Sequence, residues 1–286
     1  MDQSASLLEY AETFKSNFDK FRTSFPETFF AGEKLLGVLG SFSQELLGLR
    51  SDLLWPEVVR VMLFGCSASW AQSFISTASG LDELGMSSIR RSIEFTCYIA
   101  KIVRTKDKDR RAEIWRDKRS SDEAQKTFAK EFSVPRCYLS DNYSDLHELL
   151  VVYEHASDFA VHANLSMVAS KTAGPETDLK VVFFDDPKEV PVSTSNMLVY
   201  GKWMILSQLA GLKQWISNYP AFEGRYNLYL QQESKCKLEV DHYYEHESIS
   251  PELRAAMSPP NFYIDDELKK LKLKYSAKPP PASPPS

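Results

Sequence analysis

The stretch DELGMSSIRRSIEFTCYIAKIVR, residues 82–104, decides the fold. At about 3.6 residues per turn, Met86, Ile89, Ile93, Cys97, Ala100 and Val103 share one face, while Phe95, Ile99 and Ile102 cover the far side. A helix apolar on two sides is sandwiched between neighbours, so the chain reads as mainly all-α, a multi-helix bundle. Arg90 and Glu94, four residues apart, lie in the gap between the apolar faces, with Lys101 on nearly the same line. Charges so placed need partners inside the protein, because burying them unpaired is costly. A second two-sided helix, Asp145 to Ser170, offers Glu154, His155, Ser157, Asp158 and His162, and places Tyr153 on its core face beside Leu146, Leu149 and Leu150.

Outward from this helix, prolines punctuate the chain. Pro26, Pro56, Pro135, Pro175, Pro187, Pro191, Pro220 and Pro251 fall between helically spaced segments, and none occurs from Glu57 to Val134. Helices are expected near Ala5 to Ser24, Glu27 to Leu49, Pro56 to Ser79, Asp82 to Arg104, Arg110 to Phe132, Asp145 to Ser170, Thr194 to Asn218 and Glu223 to Glu247. Pro56 suits a first helical turn, Ser79-Gly80 a helix end, and Asp82 a cap for the next helix. Gly65, Cys66, Ser67, Ala68, Ser69 and Ala71 let neighbours approach closely, which makes the Pro56 helix a central packing helix. A strand signal, Leu179 to Phe184, followed by the turn Asp185 to Lys188 and a short return Glu189 to Val192, predicts one small hairpin over 179–192. Residues 1–258 are expected to form a single helical-bundle domain, and residues 259–286 a charged, then Pro-rich, disordered tail in which Asp265 to Leu273 forms a frayed helix.

The chain of 286 residues is 43% hydrophobic, enough for a substantial core. Its longest apolar run, Val61 to Ala71, is shorter than the roughly 20 residues of a membrane span, and Met1 to Tyr10 is polar and acidic rather than signal-like. The reading is therefore a cytoplasmic protein with no membrane partner. Cys66, Cys97, Cys137 and Cys236 show no C-x-x-C pair, which points to reduced, mostly buried thiols. A net charge of -5 argues against general nucleic-acid binding, yet residues 101–119 hold nine Lys or Arg against four Asp or Glu. Arg90 with Lys101, Arg104, Arg110, Arg111, Arg116 and Arg119 are therefore the binding candidates, RNA or DNA being the ligand open to residues 101–119. A solvated helical corner is the plainer reading of the same charges.

Among chemical constellations, His155, Asp158 and His162 stand at i, i+3 and i+7 and could offer two imidazoles and a carboxylate to one ion, with Glu94 completing the set. Asp158 with His162 is equally an ordinary helix pair. Glu239-Val240-Asp241-His242 is an E-x-x-H, but a di-iron bundle needs two such motifs. No phosphate-binding glycine loop or hydrolase elbow is present, and no cofactor is indicated.

The segments I-R-R-S-I-E-F-T, from Ile89 to Thr96, and Tyr153-x3-Ser157-x4-His162 resemble those of a group of uncharacterised bacterial helical proteins. These share an R-S-x-x-E helix, a later Y-x3-S-x4-H helix and a short hairpin, and are similar in layout to HEPN-type bundles, many of which are RNA-cleaving toxins or accessory parts of defence systems. The resemblance implies Arg91, Ser92, Glu94, Tyr153, Ser157 and His162 as site residues, with Arg91, Glu94, Ser157 and His162 as catalytic candidates. Active HEPN ribonucleases carry an arginine separated from a histidine by four to six intervening residues, and positions 155 to 157 ahead of His162 are His, Ala and Ser. The expectation is thus an oligomeric binding or accessory module without standard HEPN ribonuclease activity, whose partner is a protein or a second copy of itself. The alternative is a metal-assisted phosphodiesterase built from His155, Asp158, His162 and Glu94.

Overall fold

The computed structural model describes residues 7–46, 52–157, 172–173, 180–181, 190–246 and 264–276. Its helices are α1 (Leu7–Ser24), α2 (Pro26–Glu45), α3 (Leu54–Ala78), α4 (Asp82–Val103), α5 (Lys108–Arg116), α6 (Asp122–Phe132), α7 (His147–Ala156), α8 (Val190–Leu212), α9 (Tyr219–His246) and α10 (Ile264–Ser276). This is the all-α bundle that the two-sided helices require.

α3 is central, packing against α2, α4, α5 and α8. Its Trp70 is buried and donates its indole N–H to the Met197 carbonyl at 2.9 Å, which ties α3 to α8 while meeting the polar demand of a buried indole. By length and composition α3 could cross a membrane, but half of its most apolar stretch is buried inside the bundle. Met62, Leu63 and Cys66 on α3 and Ile89, Ile93 and Cys97 on α4 belong to one continuous core.

The α3–α4 connection shows how the sequence turns the chain. Gly80 adopts φ 78°, a left-handed conformation that side chains resist, and the Leu81 N–H reaches back to the Ser76 carbonyl at 2.9 Å to close the helix end. Gly85 lies so close to α3 that a Cβ there would sit 2.1 Å from Thr77 Oγ1. Asp82, expected as the cap, is instead the first helical residue; its carboxylate accepts hydrogen bonds from Thr77 at 3.3 Å and Ser193 at 3.2 Å.

Three expectations need correction. The helix expected over Arg110 to Phe132 is two, because Asp107 caps α5 and Ser121 caps α6 by accepting from the Ala124 N–H at 3.1 Å. Asp141–Leu146 is a 3-10 turn leading into α7, so the helix expected from Asp145 begins at His147; its expected continuation beyond Ser157 lies outside the described residues. A two-residue antiparallel ladder is present, but Lys180–Val181 pairs with Thr172–Ala173, while Val190 to Val192, expected as the return strand, open α8 with Pro191 in its first turn. In the tail, the helix expected over Asp265 to Leu273 is present as α10, which packs against α7 and buries Leu271. The Pro-rich residues 277–286 lie outside the described residues.

Candidate functional site

α4 and α7 bring the two sequence motifs together. Arg90 Nε donates to Ser157 Oγ at 2.9 Å, and its Nη2 donates to the Tyr153 hydroxyl at 2.8 Å and pairs with Glu94 Oε1 at 3.3 Å. The Tyr153 hydroxyl in turn donates to Glu94 Oε1 at 3.1 Å, and Ser157 Oγ donates to the Tyr153 carbonyl at 2.8 Å. The guanidinium also lies 4.8 Å from the centre of the Tyr153 ring. Helical spacing explains the geometry: residues 90 and 94 are neighbours one turn apart on α4, and 153 and 157 are one turn apart at the end of α7, where Ser157 is the C-cap.

The cluster sits at the edge of the core, with the Arg90 and Glu94 side chains 31% and 26% exposed. Burial, and next the nearby Glu94 carboxylate, push the Tyr153 phenol well above its ordinary range, so it acts as a neutral donor. The Ser157 hydroxyl spends its proton on a backbone carbonyl and its lone pair on Arg90. Ser157 is therefore not arranged as an activated nucleophile, which needs a base accepting its proton, and Tyr153, although Glu94 accepts its hydrogen bond, is held in its protonated form by burial.

The remaining site candidates are dispersed. Arg91 is exposed and stands apart from the cluster, so the arginine that meets Tyr153 is Arg90 and not the Arg of the R-S dipeptide. Ser92 is buried and donates to the Cys66 carbonyl at 3.1 Å, a contact that locks α4 on α3. His155 is exposed on α7; Asp158 and His162 lie outside the described residues. Among the described residues no group of three His, Cys, Asp or Glu could hold a metal ion. The E-x-x-H glutamate serves the fold instead. Glu239 accepts from the Glu27 and Thr28 N–H groups at 3.0 and 2.8 Å and from the Thr28 hydroxyl at 2.7 Å, capping α2.

Three bases of the basic stretch, Arg104, Arg111 and Arg116, are paired with acids. Arg104 grips Asp145 with two bonds at 2.7 and 2.6 Å and also reaches the carbonyls of Asn142 and Ser207. Arg111 pairs with Glu131, and Arg116 with Asp117 at 2.7 Å. Lys101 lies 5.8 Å from the Tyr143 ring centre. Lys118 sits over the Trp115 ring at 3.5 Å, where burial and then Arg119 lower the pKa of its ammonium to about 8. Lys106, Arg110 and Arg119 remain exposed.

Two features escaped sequence reasoning. Glu154 is held by α10 through Lys274 and through the Tyr275 hydroxyl at 3.2 Å, a pairing across more than a hundred residues for which local spacing gives no signal. A cleft of about 600 Å³ opens between α1, the α3–α4 turn and α9, lined by Phe21, Phe25, Ala78 and Tyr243 with Lys20 and His242 among its polar groups. Compared with family models, curated proteins and solved structures, the chain has no match.

Proposed function

We propose that this chain is a HEPN-like helical module that binds a partner, protein or a second copy of itself, and carries no hydrolytic activity of its own. The observation that supports this most is the mutual engagement of the polar cluster: Arg90, Glu94, Tyr153 and Ser157 hydrogen-bond one another and join α4 to α7. The two motifs that carry the resemblance, R-S-x-x-E and Y-x3-S, meet at Glu94 and Tyr153, which supports a shared architectural role. An accessory part in a bacterial defence or toxin–antitoxin system, working in the cytoplasm, is the setting that the resemblance suggests. Nucleic acid is the less favoured partner, since Arg104, Arg111 and Arg116 are paired with acids and an ion-paired arginine offers little to a phosphate.

The test is hydrolysis. Purified full-length chain, incubated with single-stranded RNA and with a bis(aryl) phosphate diester in the presence of magnesium, manganese or zinc, is expected to release no product above buffer. Hydrolysis that disappears in Glu94→Ala, or in His155→Ala together with His162→Ala, would establish the phosphodiesterase alternative.

A further inference from the structure

The cleft between α1, the α3–α4 turn and α9 is held open by its own packing. Ala78, Ser79 and Gly80 form its floor, three small residues, and Gly80 at φ 78° keeps a conformation that a side chain resists. Aromatic rings form its walls. Phe21 stacks on Phe25 with 5.5 Å between ring centres, and Phe25 meets the Tyr243 ring edge-on at 5.0 Å, which braces the α1–α2 junction against α9. Asn17 on α1 donates to the Ser79 carbonyl at 3.2 Å and fastens that wall to the floor. The volume of about 600 Å³ and the mostly apolar lining are those of a small-molecule site.

The polar groups of the cleft fall into two sets. Asn17 is bonded to Ser79, the Ser79 hydroxyl donates to the Ile75 carbonyl at 2.8 Å, and the Glu239 carboxylate is engaged by the N-terminus of α2. The side chains of Lys20, Ser24 and His242 line the same cleft and bond to none of the described residues. An ammonium, a hydroxyl and an imidazole therefore face a ligand. The ammonium is a donor only, and the imidazole keeps at least one N–H in either protonation state. The charge of Glu239 is met by the positive end of the α2 dipole, which leaves that of Lys20 to the ligand.

We infer that this cleft binds an amphipathic monocarboxylate, a fatty or arylalkanoic acid whose carboxylate meets Lys20 and His242 while its apolar body lies against Phe21, Phe25 and Tyr243. The walls offer rings and few hydrogen-bond partners, so a sugar or nucleoside body would lose its hydration without replacement. A phosphate head calls for more donors than this rim supplies, and no arginine fork lines the cleft among the described residues. A cationic head would meet Lys20 as a like charge. The cleft shares no residue with the Arg90–Glu94 cluster, and the inference goes beyond the binding-module reading without depending on it.

The experiment is isothermal titration calorimetry of the full chain with sodium dodecanoate below its micelle concentration, beside dodecyltrimethylammonium, a body of similar length with the opposite charge. Dodecanoate is expected to bind at one molecule per chain with a dissociation constant below about 100 μM, and the cation about tenfold more weakly or worse. Lys20→Ala combined with His242→Ala, both exposed positions, should weaken dodecanoate about tenfold or more with an unchanged circular dichroism spectrum, while Lys20→Arg keeps the charge and the affinity. Hydrogen exchange followed by mass spectrometry locates the ligand: dodecanoate should slow exchange over residues 17–25 and 239–243 and leave residues 61–75 unchanged. No heat beyond dilution, several equivalent molecules per chain, equal affinity for the cation, full affinity in the double variant, or protection confined to residues outside the cleft would each overturn the proposal.

Discussion

Arg90 shows how much one side chain can organise. It joins α4 to α7 through Ser157 and Tyr153 and to its own helix through Glu94, so its loss removes three contacts, whereas loss of Glu94 removes one ion pair and one phenol acceptor. Because both charges are about a quarter to a third exposed, water screens what remains after either change. Arg90→Ala is expected to cost about 2 kcal/mol, Glu94→Ala about 1 kcal/mol, and Tyr153→Phe about 1 kcal/mol, measured by urea unfolding. A double-mutant cycle on Arg90 and Glu94 should give a coupling of about 0.5 kcal/mol or more; additive effects would mean that the pair is incidental. The sequence made Arg90 and Glu94 legible because a helical wheel isolates polar positions on an apolar helix. It could not choose between Arg90 and Arg91 by motif, since the R-S dipeptide names a residue that the helix turns out to solvent.

At the scale of elements, the legible boundaries were those written in local chemistry. Gly80 ends α3, and Pro56, Pro191 and Pro220 sit within first turns. What local chemistry does not carry was missed or misassigned. Pro191 fits an edge strand and a first helical turn equally well by its ring geometry, and only the packing of α8 against α3 and α4 decides for the helix. Ser121 was a cap in plain view, hidden because the surrounding periodicity continues across it. Glu239 is the clearest case, a glutamate that spacing alone offers to a metal and tertiary structure assigns to the N-terminus of α2. Its carboxylate meets two orphan N–H groups and the positive end of the helix dipole. Glu239→Ala should therefore lower stability by about 2 kcal/mol, and Glu239→Gln by about half as much, since the amide keeps an acceptor but not the charge. Chelator should leave the unfolding midpoint of wild type unchanged. A chelator-dependent midpoint that Glu239→Ala abolishes would return the E-x-x-H to metal chemistry.

For the whole molecule, what the pattern of apolar residues conveyed was the bundle itself, because two-sided helices can only be satisfied by helices on both sides. One global property follows from how deeply that bundle buries its ionisable groups. Burial pushes the thiols of Cys66 and Cys236 up to about 11 and Cys97 upward as well, and raises the phenols of Tyr138, Tyr153 and Tyr229. In the unfolded chain a thiol ionises near about 8.5 and a phenol near about 10. These groups have folded values above their unfolded ones, so their contribution is fully present below the unfolded value and is lost as pH rises towards the folded one. Between about pH 8.5 and 10 each thiol of this kind takes away about 2 kcal/mol, since the unfolded chain sheds its proton while the folded chain must hold it. The urea midpoint, measured with reductant present, should be flat from about pH 7 to 8 and fall steeply by about pH 10. Cys66→Ala with Cys236→Ala should start from a lower midpoint, for loss of packing, yet decline less steeply over the same interval. Equal slopes in the two proteins would mean that the thiols are not the groups whose ionisation unfolds the bundle, and would leave the buried tyrosines to account for the alkaline limb.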